Sequence, residues 1–578
     1  MPPRHPVAVL DSHEVTNQPP PLGAHNLYES DPILGQAVRR EGAAWAETKL
    51  RAFGQVLGQE RTGELAEAAN RFPPELKTFD RYGHRLDEVV FHPAYHELMA
   101  LAKAHEVSSI AWSAGRAVPP VGWQNTDSPR ASMDAPLPGR AGGHLAHMAL
   151  EYLLVQVEPG VCCPITMTYA AIPTLRKAPA LAREWEPRVL STVYDPRFLP
   201  APEKNGATIG MALTEKQGGS DVRANATRAT ALAADGEYEL DGHKWFCSAP
   251  MSDGFLTTAR TDAGLSCFFV PRWRPDGTRN PFLIQRLKDK LGDRANASSE
   301  IEYRRTWAFR VGEEGQGVRA IIDMIHHTRL DTALAAAGMM RHAVVQAVHH
   351  TANRRAFQRV LADQPLMQNV LADLVVEWAA ATVMVARVAR AYDESGGDET
   401  ARMFARLAVA IAKYWVNKRL PNHVYEAMEC LGGSGYVEES GMPRLYREAP
   451  LNSIWEGSGN VICLDVLRSL EKEPGSVAAF FVEVEAAKGG DRRLDRAIER
   501  LKGELGNRAG AELRARRLTE QMALTLEGAL LVRHGPAPVA DAFCASRLDD
   551  DWGHTYGTLP VGTDFAAIID LGRVRATL

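Results

Sequence analysis

The sequence predicts an α+β protein, mostly α: a helical domain, a small antiparallel β-barrel and a helical bundle in that order, with a further helical extension. Three observations predict it. Apolar residues recur at helical spacing over residues 27–111 and again over 144–157. Short apolar runs bounded by turn signals then fill 208–303, with no helix of crossover length between them, which argues against a βαβ dinucleotide fold. From Val318 helical periodicity returns and persists. The expected divisions are 1–200, 201–312, 313–470 and 471–578, consistent with a chain of 578 residues that is too long for one core.

In the first division, a Pro-rich lead through Pro21 precedes several helices, broken at Phe72-Pro73-Pro74 and at Arg81-Tyr82-Gly83. A polar connector rich in Pro and Gly runs from Arg116 to Gly143 and leads into an apolar helix. In the second, strands are expected at 208–214, 228–232, 238–240, 244–247, 255–260, 265–270, 282–287 and 300–303, with Asp235-Gly236 and Asp241-Gly242 as hairpin dipeptides. In the third, Leu371, Leu374, Val375, Trp378, Thr382, Val385, Ala389 and Tyr392 fall on one helical face, and Phe404, Leu407, Ala408, Ile411 and Trp415 on another, as in an antiparallel bundle. After Lys472-Glu473-Pro474-Gly475 comes a segment that such a bundle does not need.

With 45% apolar and 24% charged residues the composition is that of a globular protein, and a net charge of −5 implies no global electrostatic partner. Seven scattered cysteines form no disulfide ladder and no C-x-x-C pair, so a reducing compartment and no metal site are predicted. The N-terminal apolar run stops after four residues at Asp11, and the Ala-rich stretch 331–348 is interrupted by Arg341 and His342. A cytoplasmic protein without a membrane partner is expected.

Two loops carry the chemistry. Met211-Ala212-Leu213-Thr214-Glu215-Lys216-Gln217-Gly218-Gly219-Ser220-Asp221 joins an apolar strand end to a hydroxyl and a glycine pair, so that backbone amides can close on an anionic pyrophosphate. Far downstream, Ile454-Trp455-Glu456-Gly457-Ser458 sets one carboxylate between a tryptophan and a glycine. Together with Gly242-His243-Lys244-Trp245-Phe246, Cys267-Phe268-Phe269-Val270-Pro271-Arg272, Leu287-Lys288-Asp289-Lys290-Leu291-Gly292 and Asn452 through Asn460, these motifs resemble the acyl-CoA dehydrogenase family, and within it the AidB branch of alkylation-response flavoproteins.

That resemblance implies FAD held without a covalent bond between subunits of a homotetramer, a dimer of dimers, and an acyl-CoA or similar small molecule as substrate. By motif match, Met211, Leu213 and Thr214 approach the isoalloxazine, Gly219 and Ser220 the pyrophosphate, and Phe246 and Ser248 the ring near N5. Arg354 matches an arginine that reaches a neighbouring subunit's FAD phosphates, and Phe357 an aromatic at the adenine side. Gly432 and Gly433 supply a close backbone approach, and Ser458 and Asn460 match contacts at the adenine end. A diphosphate needs guanidinium charge and unhindered amides in any case. Glu456 matches the catalytic base; some members place it instead on the helix through Thr328, where this chain has no carboxylate. Three departures stand out: Glu429 where many relatives have Gln, His326 where some have an Asp reaching the CoA adenine, and Gln358 for the Gly that commonly follows the Phe.

Between Lys488 and Arg517 ten basic residues face five acidic ones. Arg492, Arg493, Arg496, Arg500, Lys502, Arg514, Arg516 and Arg517 are the candidates for double-stranded DNA, with Arg492, Arg496 and Arg500 repeating every four residues along one helical face. A solvated helix face packed by aliphatic stems is the alternative. Three functions therefore compete: an AidB-type flavoprotein that binds DNA and limits alkylation damage while dehydrogenating acyl-CoA weakly, a metabolic acyl-CoA dehydrogenase, and a DNA-binding protein with structural FAD.

Overall fold

The computed structural model describes residues 7–113, 141–507, 509–549 and 551–574, so the expected connector lies outside the described residues up to position 140. The N-terminal part comprises α1 (Pro32–Arg40), α2 (Glu47–Leu57), α3 (Glu60–Arg71), β1 (Glu75–Phe79), β2 (Arg85–Val90), α4 (Pro93–Ala104), α5 (Gly143–Val155), α6 (Pro159–Ala170), α7 (Ile172–Leu175) and α8 (Pro179–Val189). Local chemistry sets the boundaries: the Asp31 side chain accepts from Leu34 N at 2.8 Å ahead of Pro32, an N-cap followed by proline in the first turn. One expectation is corrected. Arg81-Tyr82-Gly83 does not separate two helices but forms the tip of an antiparallel hairpin, Glu75 opposite Val90. The Asp80 carboxylate takes the backbone N–H of Tyr82 and of His84, each at 2.8 Å, a polar turn that a helical reading passes over.

The middle part holds β3 (Ile209–Ala212), β4 (Arg228–Ala231), β5 (Glu237–Ser248), β6 (Gly254–Thr261), β7 (Gly264–Pro271), β8 (Phe282–Leu287) and β9 (Ser298–Val311). Strands β6, β4, β5, β9 and β7 pair in turn, and β7 pairs with β6 again, closing the ring; β3 lies along β6 and β8 along β9. The barrel is not wholly antiparallel. Both β3 and β4 run parallel to β6, with Ala212 opposite Thr257 and Arg228 opposite Arg260. One strand line is thus interrupted, and residues 213–227, the loop with the glycine pair, are extruded from it.

Asp241-Gly242 is likewise not a hairpin turn but a register shift inside a continuous β5. Gly242 has φ +154, and a Cβ there would stand 2.5 Å from Thr227 Oγ1, so the backbone bulges where the two strands come closest.

The bundle follows with α9 (Gly317–Asn353), a short hairpin β10 (Arg355–Ala356) and β11 (Arg359–Val360), then α10 (Pro365–Glu394), α11 (Glu399–Glu429), α12 (Met442–Glu448) and α13 (Gly459–Lys472). The two apolar faces read from sequence are buried, except for the half-buried Tyr392. Among the described residues one helix, α10, is long and apolar enough to cross a membrane, and 89% of its most apolar window is buried inside the protein.

The last helices are α14 (Pro474–Glu485), α15 (Arg492–Gly506), α16 (Ala511–His534), α17 (Ala537–Phe543) and α18 (Phe565–Gly572). Contrary to expectation the bundle does need them. Glu527 of α16 accepts from Trp415 Nε1 at 3.1 Å, Arg547 reaches Asp373 and Glu377 of α10, and a Cβ on Gly572 would lie 2.9 Å from Val344 and 3.1 Å from Val375. Buried polar groups of the bundle find their partners in the extension.

Candidate functional site

Glu456 occupies a tight loop before α13, with φ +56, and Gly457 follows at φ +106. A glutamate in the left-handed region costs on the order of 1 kcal/mol, which the surroundings must hold in place. Arg329 Nε donates to the Glu456 carbonyl at 3.1 Å, Lys413 Nζ donates to the Gly457 carbonyl, and Trp455 Nε1 donates to Asn452 Oδ1 at 3.0 Å. Arg329 is fixed by Asp465 at 2.7 Å, which also pairs with Arg406 at 2.9 Å. The loop therefore hangs from α9, α11 and α13 at once.

The carboxylate itself is half-buried, and Thr328 Oγ1 donates to its Oε2 at 2.7 Å. Burial pushes its pKa up, while the Thr328 hydroxyl and the charges of Arg329 and Lys413 oppose that rise without cancelling it. Thr328 Oγ1 also stands 3.0 Å from the Ile325 carbonyl. It can donate to Glu456 when that group is ionised, and to Ile325 while accepting from Glu456 when it is protonated, so both states keep a partner. Lys413 is buried, which brings its pKa down to about 7.

The extruded loop is pinned from beneath. Buried Glu215 pairs with Lys244 Nζ at 2.8 Å and accepts from Ala226 N at 2.6 Å, while Asn225 Nδ2 donates to Leu213 O at 2.8 Å. Above this pin Gly218, Gly219 and Ser220 are exposed. Gly218 has φ +148 and open space at its Cβ position, whereas a Cβ on Gly219 would meet Thr214 Oγ1 at 2.5 Å. Only glycine keeps that crossing closed while leaving its amides clear. Thr214 O accepts from Trp245 N at 2.8 Å, and Lys288 Nζ lies 3.3 Å from the Trp245 ring centroid and 4.7 Å from that of Phe246, whose ring is half exposed. Ser248 Oγ lies 3.4 Å from Ser298 Oγ.

The two loops meet through the core: Met211, Leu213 and Trp455 all pack on one buried cluster that includes Met167, Tyr169, Leu256 and Met324. The remaining expected residues lie at the periphery. Arg354 Nη1 donates to Asn17 O at 2.5 Å. Phe357 and Gln358, with φ +51 and +65, form the two-residue turn between β10 and β11, and Phe357 is 91% exposed. Gln358 thus keeps a conformation suited to the glycine it replaces. Gly432, at φ +58, and Gly433 have open space at their Cβ positions, and Ser458 is exposed. Glu429 is exposed beside Tyr425. His326 Nε2 is buried without a hydrogen bond, and burial, with Arg329 and Arg406 nearby, lowers its pKa to about 3, so that ring is neutral.

The basic residues of the extension do not form one uniform open face. Arg493 pairs with Asp491 and Asp541, each at 2.6 Å, Arg496 with Asp549 at 3.1 Å, Lys502 with Glu485 at 2.6 Å and Arg514 with Glu504 at 2.5 Å. Arg500 donates to Leu548 O at 2.6 Å. Arg516 Nε donates to Asn460 Oδ1 at 2.8 Å, so a residue expected to face DNA instead braces one expected at the cofactor. Arg492 and Arg517 are exposed. No sequence motif marks Arg329, Asp465 or Arg406 as part of the site; the one local signal is Lys413, a lone cation ending the apolar run Leu407 to Ala412.

A closed barrel whose extruded glycine loop and a carboxylate loop from the bundle share one core is the arrangement of a flavin-dependent dehydrogenase. Residues 17–196 match the adaptive response protein AidB N-terminal domain, 210–306 the acyl-CoA dehydrogenase middle domain and 315–471 the acyl-CoA dehydrogenase C-terminal domain. The chain belongs to the acyl-CoA dehydrogenase family and is an AidB-like flavoprotein oxidoreductase within it. It is similar to the acyl-CoA dehydrogenase-type protein AidB of Escherichia coli (strain K12), at 46% identity over 94% of this chain and 95% of that one. It is also similar to acyl-CoA dehydrogenase family member 11 of Caenorhabditis elegans, at 29% identity over 83% of this chain and 76% of that one. Among solved structures, that of C. elegans ACDH-11 in complex with C11-CoA matches with a TM-score of 0.80, at 27% identity over 95% of this chain and 96% of that one.

Proposed function

We propose that this protein binds FAD and dehydrogenates the α,β-carbons of acyl-CoA thioesters, with Glu456 as the base. One observation carries this: a half-buried carboxyl, raised in pKa and held by Thr328, stands on a loop whose tryptophan packs on the same cluster as Met211 and Leu213. Abstraction of a proton next to a thioester carbonyl needs such a desolvated carboxylate. Thr328 engages Oε2, and Oε1 accepts from no protein donor among the described residues, which leaves it for the substrate proton.

The residues present fit FAD. Gly218, Gly432 and Gly433 present open backbone, Arg354 a guanidinium, and Phe246 and Phe357 exposed aromatic faces. When bound, FAD supplies the hydride acceptor. An aromatic ring exposed to 91% at Phe357 supports a neighbouring subunit of a homotetramer over that hairpin. The test is Glu456→Gln: flavin absorbance should persist while acyl-CoA-dependent bleaching slows about 10²- to 10⁴-fold. Full activity in that variant refutes the assignment.

A second reading, AidB-type protection of double-stranded DNA from alkylation, is favoured by the exposure of Arg492 on α15 and Arg517 on α16. Arg493, Arg496, Lys502 and Arg514 pair with carboxylates, and Arg500 and Arg516 donate to Leu548 O and Asn460 Oδ1, which confines the contact to that smaller set. Duplex binding should weaken with salt, and Arg492→Glu with Arg517→Glu should flatten the log–log salt slope by about 2; no salt-dependent binding to a duplex of arbitrary sequence ends this reading.

A further inference from the structure

We propose that His147, Glu151 and Asp331 form a binding site for one divalent transition-metal ion. The three side chains are 0%, 1% and 2% exposed and offer ligand atoms that all lie within 4.8 Å of one another, on two helices, α5 and α9. His147 Nε2 is 3.2 Å from Glu151 Oε2 and 3.2 and 3.3 Å from the two oxygens of Asp331. Metal bonds of about 2.1 Å place neighbouring ligand atoms roughly 3.0–3.4 Å apart, so these separations need little adjustment.

The surroundings are those of a held ligand set. His147 Nδ1 donates to Val107 O at 2.6 Å, which fixes the ring and directs Nε2 at the carboxylates. Thr166 Oγ1 donates to Glu151 Oε1 at 2.5 Å and so orients the other oxygen inward, and the Tyr169 ring stacks on His147 at 3.6 Å between centroids. That inward oxygen, Glu151 Oε2, is buried and accepts no N–H despite its nearness to His147 Nε2, so without a cation its one recourse is a proton shared with Asp331. One N–H at Nε2 can serve the Asp331 oxygens but not also Glu151, whereas a divalent ion at the centre engages all three groups. One imidazole with carboxylates selects manganese, iron or zinc. No metal was predicted from sequence because the three residues are no consecutive motif; the tertiary packing of α5 on α9 brings Asp331 to the other two.

Asp331 follows Thr328 by three residues on α9, so the ion would staple α5 to the helical turn that holds Glu456. The test removes metal from the full-length protein by dialysis against a chelator, re-equilibrates it with Mn(II) or Zn(II), and measures bound metal after gel filtration. About one ion per chain is expected, falling at least tenfold in His147→Gln and Glu151→Gln variants that keep the wild-type circular dichroism. If neither variant folds, X-ray absorption of the zinc-loaded wild type decides: one nitrogen with oxygens near 2.0–2.1 Å supports the site. Failure of the wild type to retain either ion, undiminished binding in folded variants, or a sulfur-containing shell overturns it.

Discussion

Replacing Thr328 with valine removes one hydroxyl and little volume, and its effect follows from the 2.7 Å bond to Glu456 Oε2. A hydrogen bond to a charged acceptor contributes about 1.5–3 kcal/mol, and about 1.4 kcal/mol corresponds to one pKa unit. That bond is the strongest factor holding down a pKa that burial has raised. Because Thr328 can also accept from the protonated carboxyl, only part of that energy distinguishes the two states, and its loss should move the carboxyl up by at most about one to two pH units. The base works only when ionised, so the acid limb of the pH profile of kcat/KM for acyl-CoA oxidation should shift upward by the same amount, with the alkaline plateau largely kept. Stability moves as well. A carboxyl whose folded pKa exceeds its unfolded value of 4.5 favours folding below that value and loses the advantage as pH rises through the folded pKa, so Thr328→Val should carry the fall in melting temperature above pH 4.5 on to higher pH than in the wild type. An acid limb that does not move, in a variant with full flavin content, would refute the role given to Thr328.

Other outcomes follow. Lys413→Met removes the donor to the Gly457 carbonyl and should lower kcat at least about tenfold with circular dichroism unchanged, because loss of a positioned contact misplaces the base. Arg547→Met leaves Asp373 and Glu377 short of a buried partner and should cost about 3–5 kcal/mol in thermal unfolding, which an appendage detached from the bundle would not show. Gly433→Ala meets nothing within 4 Å and should leave the melting temperature of flavin-free protein unchanged while weakening flavin retention; equal retention would remove Gly433 from the cofactor surface. Gly572→Ala places a methyl 2.9 Å from Val344 and should cost about 1–3 kcal/mol by overpacking, read as a lower melting temperature.

The sequence by itself determined the order of helical domain, β barrel and helical bundle, because burial periodicity is local: alternation and turn dipeptides mark strands, and three- and four-residue steps mark the helices that became α10 and α11. It also singled out Glu456 and the glycine pair at Gly218 and Gly219, since a carboxylate between tryptophan and glycine, and glycines next to a hydroxyl, have few structural uses. Tertiary structure decided what depends on residues far apart in the chain. Only folding puts Thr328, Arg329 and Lys413 around the Glu456 loop, lays β3 and β4 along the same strand so that the loop between them is extruded, and pairs Arg493, Arg496, Lys502 and Arg514 with carboxylates of the extension itself. Asp241-Gly242 shows the limit from the other side. The same dipeptide chemistry serves a hairpin or a bulge, and the approach of Thr227 across the sheet, invisible in the local sequence, selects the bulge.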